Sequence, residues 1–540
     1  FTLFCDTTEL CRKRFSPTRL PPASLHLRLR VSARAFPVTF DKVFDKARDK
    51  VASLTLPVPP VAAGGRFLTG LTPAGLLNSA PNADALLAAA RITTWKDDAM
   101  RNVKDFGAVG DGVTMDTAAV QKAIDAGGMV YFPEGTYLCG TLYLKSNGGL
   151  DLAPGARLLA STSEADYNAD DFCPQNRAFR GENVCGAHFI VAVEQENIVI
   201  RGGGTIDGNA RFFYKLKDRD WLPDRYELDD FRDGMFRPAQ MIFLCECSRV
   251  TIENVRLMES PYWACFLHGC TDVIIHGVRI QNIQHKTWNT DGIDLDCCSR
   301  VVVSDCIIET GDDCITLRAY DEPLKTKRPC EYVTVTNCVL SSTTNAIRVG
   351  VGEGTIRNCL FSNLIIQNTC HGISINNRFN ARKPDGGYRG FCTVRNITFE
   401  NIDVTAYYGI SLVTDWFGVF EDPAGHFTTE NIAFRNLRID SQRTCNIIGQ
   451  SDRSVRSLTF SDVVMRFTGP GNVPGVDGGC KAWGWDKPNA AFHLQNVQDV
   501  EFYRVRIEHA DPAWRMGIFA QNCTDIRTIH NQLRLPNVFE

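Results

Sequence analysis

The sequence predicts an all-β chain wound as a right-handed parallel β-helix, a solenoid of short strands. The first observation is a recurring four-residue apolar strand: Asn197-Ile198-Val199-Ile200, Arg249-Val250-Thr251-Ile252, Asp272-Val273-Ile274-Ile275, Arg300-Val301-Val302-Val303 and Tyr332-Val333-Thr334-Val335. Shorter copies follow as Ile397-Thr398-Phe399, Ile432-Ala433-Phe434, Leu458-Thr459-Phe460 and Val500-Glu501-Phe502. The second is an elastic spacing. Val250, Val273, Val301 and Val333 are separated by 23, 28 and 32 positions, as when each repeat stacks on its neighbours and insertions fall in turns. The third is an Asn or Asp just after many strands (Asn254, Asp305, Asn337, Asn358, Asn401, Asn436, Asp462), where a stacked solenoid forms polar ladders at its bends. A propeller would need antiparallel hairpins and a steadier period of about 40 residues.

Length and composition agree. A chain of 540 residues exceeds one ordinary domain, and a repeat architecture accommodates it because each repeat needs only its neighbours. The content is that of an ordinary globular protein, 44% hydrophobic and 22% charged. A net charge of −4 argues against a nucleic-acid or anionic-membrane partner. No apolar run reaches the length of a transmembrane helix. The 21 cysteines show no zinc-site spacing. Several sit inside apolar strands (Cys265, Cys297, Cys298, Cys306, Cys314, Cys338, Cys359), where they read as buried thiols. That usage tilts the expected compartment toward the cytoplasm, with secretion open if a leader has been removed. Oligomeric state is left open.

Taken in order, residues 1–95 form an expected small β-rich module. It holds one clean alternation, Leu25-His26-Leu27-Arg28-Leu29-Arg30-Val31, between Pro-rich turns. Residues 96–540 form the expected β-helix domain, with repeats running from Asn102 to about Ile529. Its opening has a Gly-rich turn at 103–112, helical spacing over 114–126, and two short strands around Pro133-Glu134-Gly135. No Gly-Lys-Ser/Thr follows the glycines, so a phosphate loop is a weak reading.

The chemistry concentrates in Asn289-Thr290-Asp291-Gly292 and Gly311-Asp312-Asp313-Cys314. Asp291 and Asp312 are 21 positions apart, about one solenoid turn, so their carboxylates are expected to be neighbours. Clustered carboxylates on a rigid wall suit acid/base hydrolysis of a glycosidic bond. Like charges raise one pKa and keep one acid protonated. Asp294 and Asp296 add acidity and are expected in supporting positions.

Together with Asp105-Phe106-Gly107-Ala108, Gly204-Thr205-Ile206-Asp207-Gly208, Arg237-Pro238 and Ser260-Pro261-Tyr262-Trp263, the two acidic motifs resemble, in order and spacing, glycoside hydrolase family 28, the polygalacturonase family. The resemblance covers roughly residues 102–510. It implies an inverting hydrolase with Asp312 as general acid, Asp291 and Asp313 activating water, and no metal or other cofactor. An inverting pair ordinarily leaves roughly 6.5–9.5 Å between carboxyls.

Two motifs of that family are missing. Its Gly-His-Gly falls near Thr344-Asn345-Ala346, and its Arg-Ile-Lys becomes Ser374-Ile375-Asn376. Substitutes to read an acidic sugar are Arg348 on the first of these strands, Arg318, His371 and Arg378, the last opening a loop that also holds Arg382 and Lys383. Asn289 and Trp288 flank the acidic motif as further substrate contacts. Trp263, Tyr320, Tyr407, Tyr408 and Trp416 are additional stacking candidates. Insertions at 211–237 and 469–487 are expected to wall the groove. The expected partner is a plant-type polysaccharide or oligosaccharide. The rival readings are a polysaccharide lyase, with Arg348 or Arg318 taking the α-proton beside Ca²⁺, and a non-catalytic carbohydrate-binding solenoid.

Overall fold

Three short parallel strands per turn, each hydrogen-bonded to the equivalent strand one turn on, wind the chain into a right-handed parallel β-helix. The computed structural model describes residues 100–176, 184–215, 230–231, 236–282, 289–378, 390–414, 427–451, 454–469, 490–509, 514–533 and 536–539. The expected N-terminal module at 1–95 lies outside these residues. So do Trp288, Arg382, Lys383, Trp416 and most of the insertions at 211–237 and 469–487.

One turn illustrates the rest. Ser248–Glu253 lies on the first wall, Arg256–Met258 on the second and Cys265–His268 on the third. The next turn repeats it as Thr271–His276, Arg279–Gln281 and Ile293–Asp296. The register expected from spacing is the one observed: Val250 pairs with Val273, Val273 with Val301, and Val301 with Val333. Alternation turns these valines inward to 1% exposure or less, while Ile274 and Val302 between them face out.

The polar residues at the bends have a backbone reason. Asn254, Asp305, Asn337, Asn401, Asn436 and Asp462 all have positive φ, the left-handed conformation that Asn and Asp tolerate best among side-chain-bearing residues. Their amides also ladder from turn to turn: Asn401 donates to Asn363 at 3.2 Å and Asn436 to Asn401 at 2.7 Å. Asn358 belongs to a second ladder, inside the first wall, where Asn396 donates to it at 2.9 Å and Asn431 to Asn396 at 3.1 Å. At the N-terminal end the helix is shorter than the spacing suggests, Thr117–Asp125, because Thr114 and Met115 belong to the strand Asp111–Met115. Asp116 closes that turn by accepting the Val109 and Gly110 amides at 2.6 and 2.8 Å.

The interior is a continuous apolar column. Its clearest part is a run of stacked rings, Phe361, Phe399, Phe434, Phe460 and Phe502, with successive centroids 5.0, 5.3, 4.8 and 4.9 Å apart. The cysteines placed in strands are buried thiols, none in a disulfide. No helix among the described residues is long and apolar enough to cross a membrane.

Phe434 has a ring above and below it and no exposure, so its removal opens a cavity the rigid ladder cannot close. Phe434→Ala is expected to cost about 3–5 kcal/mol of stability, read as a large fall in melting temperature. A melting temperature matching that of a surface substitution such as Val302→Ala would contradict the stack's role.

Candidate active site

The third wall carries the acidic motifs on its outer face. Ile293 pairs with Ile315, and Ile315 with Ile347, so these isoleucines and their alternates point into the core. Side chains between these inward positions, and those at the bend just before them, stack outside the core as vertical columns. One column runs Trp263, Asp291, Asp313, Asn345, His371, Tyr408, Arg443, fixed by backbone bonds such as Gly292 N–H to Asp313 O at 2.8 Å and Cys314 N–H to Asn345 O at 2.9 Å. The next holds Phe266, Asp294, Thr316, Arg348 and Ser374.

The turn here is 22 residues long, as the Ile293–Ile315 pairing shows, not 21. Asp291 therefore stacks directly on Asp313, and Asp312 sits one position to the side, at the wall's edge. The nearest oxygens of Asp291, Asp312 and Asp313 all lie within 4.8 Å of one another. That is tighter than the carboxyl separation expected of an inverting pair. The cause is the ladder: consecutive rungs are about 4.8 Å apart, and side chains stacked in one column inherit that spacing.

Asp312 is half-buried and rigidly held. Its backbone carbonyl accepts from the hydroxyls of Thr310 and Ser342, both at 2.5 Å. Its carboxylate accepts from Asn289 N–H at 2.9 Å, Thr344 Oγ1 at 2.8 Å and its neighbour Asp313 N–H at 3.0 Å. Burial, then the charge of Asp313, pushes Asp312 up to about 7, against the pull of Thr344 and Arg348. Asp291 is raised well above the carboxylate range by burial and by Asp294, Asp312 and Asp313, with Arg318 opposing. Asp294 rises to about 7, chiefly through burial, again against Arg318.

Two arginines, Arg348 buried and Arg318 partly so, interleave with these acids. Arg318 donates to Asp291 Oδ2 at 3.0 Å and to Asp294 Oδ1 at 2.9 Å, with its guanidinium 4.2 Å over the Trp263 ring. Arg348 bonds Asp313 Oδ2 at 3.0 Å. Asn345, on the rung expected to hold the family's His, donates to Asp313 Oδ1 at 2.5 Å. The two arginines expected to read the substrate thus face inward onto carboxylates.

The remaining candidates fall as follows. Asn289 is at the site, with positive φ; Arg237 donates to its side chain at 3.3 Å and lies over the Tyr262 ring at 4.9 Å. Sequence reasoning placed Arg237 only in a motif, and its pairing with Asn289, 52 positions away, had no local signal. Thr344, which bonds Asp312, was likewise missed, because a Thr in a turn carries no mark of its own. His371 lies in the Asp291 column, two rungs beyond Asp313, bonded to Ser411 Oγ at 3.0 Å and stacked on Tyr408 at 4.8 Å. Arg378 is fully buried, with its guanidinium 3.9 Å from the Phe391 ring centroid. Ser374 and Asn376 bond each other at 3.0 Å. Asp296 accepts from Tyr320 N–H at 2.7 Å and Cys297 Sγ at 3.3 Å. Trp263 and Tyr408 are buried, so neither offers an open face to a sugar.

The folded state holds protons on Asp312 and Asp294 near pH 7 that an unfolded chain, with ordinary carboxyls near 4, has already released. Their contribution to stability is full below about pH 4 and is lost as pH rises through about 7. Asp312→Asn removes one such group. Its melting temperature should exceed the parent's at pH 8, by about 1 °C for each kcal/mol relieved in a domain of this size, and the gap should close by pH 4. A variant less stable at pH 8 than at pH 4, relative to the parent, would contradict this charge balance.

Comparison with known proteins adds an independent line. Residues 175–331 match the family model described as "Glycosyl hydrolases family 28", and residues 100–148 match "Rhamnogalacturonase A/epimerase, pectate lyase-like". The chain is 26% identical over 328 residues to a probable polygalacturonase of Vitis vinifera, covering 56% of this chain and 62% of that protein. It is 25% identical over 409 residues to the exo-poly-alpha-D-galacturonosidase of Dickeya chrysanthemi, covering 68% and 67%. The family 28 exopolygalacturonase of Yersinia enterocolitica has the same fold, with a TM-score of 0.60 at 21% identity over 80% of this chain and 78% of that one.

Proposed function

From its homology to glycosyl hydrolases family 28, we propose that this chain hydrolyses a glycosidic bond in a pectin-related glycan, with Asp312 as the general acid and Asp291 and Asp313 as the carboxylates beside the attacking water. The observation that carries this reading is the asymmetry of the cluster. Asp312 is the most exposed of the three and is raised to about 7, so it is protonated at mildly acidic pH and reachable by a leaving-group oxygen. In the reaction its O–H proton passes to the glycosidic oxygen as the C–O bond breaks. A water oxygen bonds the anomeric carbon and gives its proton to a carboxylate. The proposed stereochemistry is inversion, which rests on the family resemblance and not on the carboxyl spacing, tighter here than in most inverting pairs.

The same geometry narrows the substrate. Arg318 and Arg348 are engaged by Asp291, Asp294 and Asp313, and the family's Arg and Lys positions are Ser374 and Asn376. A uronate carboxylate at the cleaved sugar would not find those four positions ready for it. A neutral or substituted sugar there, within a galacturonate-containing polymer, fits better than plain polygalacturonate. The lyase reading loses support for a related reason: an arginine locked on a carboxylate is a poor base for an α-proton.

A glycan panel spanning polygalacturonate, substituted pectins and their oligomers, with product masses and the product anomer read by NMR, tests the reading. Reducing ends without an unsaturated chromophore, unaffected by chelator, are expected; a product absorbing near the ultraviolet edge would replace it with the lyase. On the substrate so found, Asp312→Asn should lower kcat by about 10²–10⁴-fold without loss of fold. Because the acid must be protonated, kcat should fall as pH rises through about 7. Thr344→Val removes a hydrogen bond that favours ionised Asp312, so it should move that alkaline limb to higher pH. An unmoved limb would mean that another group is the acid.

A further inference from the structure

A second group of ligating side chains lies on the same wall, one outward column beyond Asp294. His268 pairs with Asp296 on the next rung, and Cys297 follows Asp296 at the bend. One ligand atom from each of the three residues lies within 4.8 Å of the others: a ring nitrogen, a carboxylate oxygen and a sulfur. All three residues are buried, at 3%, 2% and 0% exposure. The backbone of Tyr320 holds two of them: its carbonyl accepts from His268 Nε2–H at 2.9 Å, and its N–H donates to Asp296 Oδ1 at 2.7 Å. With its proton on Nε2, His268 carries its lone pair on Nδ1. Asp296 Oδ2 accepts from no donor among the described residues. Cys297 Sγ stands 3.3 Å from Asp296 Oδ1. Its backbone is left-handed, with a φ of 53°, a conformation filled here mostly by Asn and Asp and, among the described residues, by no other cysteine.

We propose that His268, Asp296 and Cys297 form a zinc site, with water as the fourth ligand. The donor set selects the metal: imidazole, carboxylate and thiolate together suit Zn²⁺, whereas Mg²⁺ and Ca²⁺ take oxygen ligands. The distances fit. Zinc bonds near 2.3 Å to sulfur and near 2.0 Å to oxygen, at a tetrahedral angle, put the two ligand atoms about 3.5 Å apart. Cys297 Sγ and Asp296 Oδ1 stand close to that separation, at 3.3 Å. The ion takes the place of the Cys297 thiol proton, which leaves to solvent, so a doubly charged cation meets one carboxylate and one thiolate. The Tyr320 contacts are of the kind that orient metal ligands, an imidazole N–H on a backbone carbonyl and a carboxylate that also accepts an amide. Arg318, on the rung after Asp296, has its guanidinium turned to Asp291 and Asp294. The sequence shows no zinc motif because His268 and Asp296 are 28 positions apart and meet only through the ladder. The site ties the segment that begins at Tyr320 to the wall. It takes no part in turnover, and it stands independently of the hydrolase reading.

Cobalt(II) tests the site in the full chain, because a thiolate–cobalt bond gives a near-ultraviolet charge-transfer band that a carboxylate site does not. The metal-free chain, titrated with Co²⁺, should take up one ion with that band and with the strong visible absorption of tetrahedral cobalt. Zn²⁺ should displace the cobalt and raise the melting temperature with its concentration. Cys297→Ser should abolish the charge-transfer band. His268→Gln and Asp296→Asn should each weaken zinc binding by about 10-fold or more, since loss of an outer partner of a metal ligand already costs that much. A measurement that needs no variant is zinc-edge X-ray absorption on the wild type, which should show one sulfur at about 2.3 Å among lighter ligands. A zinc shell without sulfur, no charge-transfer band in the wild type, or a band that survives Cys297→Ser overturns the proposal. So does an ion whose binding is lost in Asp312→Asn and kept in Cys297→Ser, which would place it in the acid cluster.

Discussion

The described β-helix depends on its in-register parallel ladder. Each rung places its backbone amides under the carbonyls of the next, about 4.8 Å away. A residue's spatial neighbours are therefore set one turn before and one turn after it. Inside the wall this yields stacked rings and aliphatic side chains. Outside it yields columns of polar side chains held at a spacing they did not choose.

That constraint explains the electrostatics of the site. Asp291 and Asp313 occupy one column on adjacent rungs, so they cannot move apart without breaking backbone pairing. Five carboxylates (Asp291, Asp294, Asp296, Asp312 and Asp313) crowd one patch of wall, and Arg318 and Arg348 bond three of them. The imbalance is resolved by protons, which is why burial and neighbouring charge leave Asp312 and Asp294 near 7. The cluster thus costs stability as pH rises, and the deep ladder on either side supplies the rigidity that tolerates it.

How far the sequence was readable follows from the same geometry. The valines at 250, 273, 301 and 333 announced both the strands and their register, because inward positions must be apolar on every rung. The Asn and Asp residues at the bends were readable because left-handed backbone selects for them. The gathering of Asp291, Asp312 and Asp313 was readable because residues about one turn apart in sequence stack in space. The pairing of Arg318 with Asp291 and Asp294, and of Arg348 with Asp313, was not. Those contacts depend on turn lengths of 22 and 32 residues between Ile293, Ile315 and Ile347, and a single residue of error moves a side chain to the opposite face. Counting 21 residues from Asp291 led to Asp312, whereas the ladder leads to Asp313.

The same reasoning bears on why two expected cation readers became internal ties. Arg348 and Asn345 lie on the rung where the family resemblance expects a histidine, two rungs from Asp291. Arg348, three positions beyond Asn345, stands in the next outward column, within reach of Asp313 one rung below and one column over. Once Asp313 is buried, an arginine within reach is drawn to it, since a buried carboxylate without a partner is far costlier than a cation withdrawn from a groove. Placing Asn in the column and Arg beside it thus ties Asp313 from two sides in one step. The engagement of Arg348 and the proton affinity of Asp312 are consequently coupled in this fold. A change that frees Arg348 would also alter the charge beside Asp312 and so the pH at which Asp312 gives up its proton.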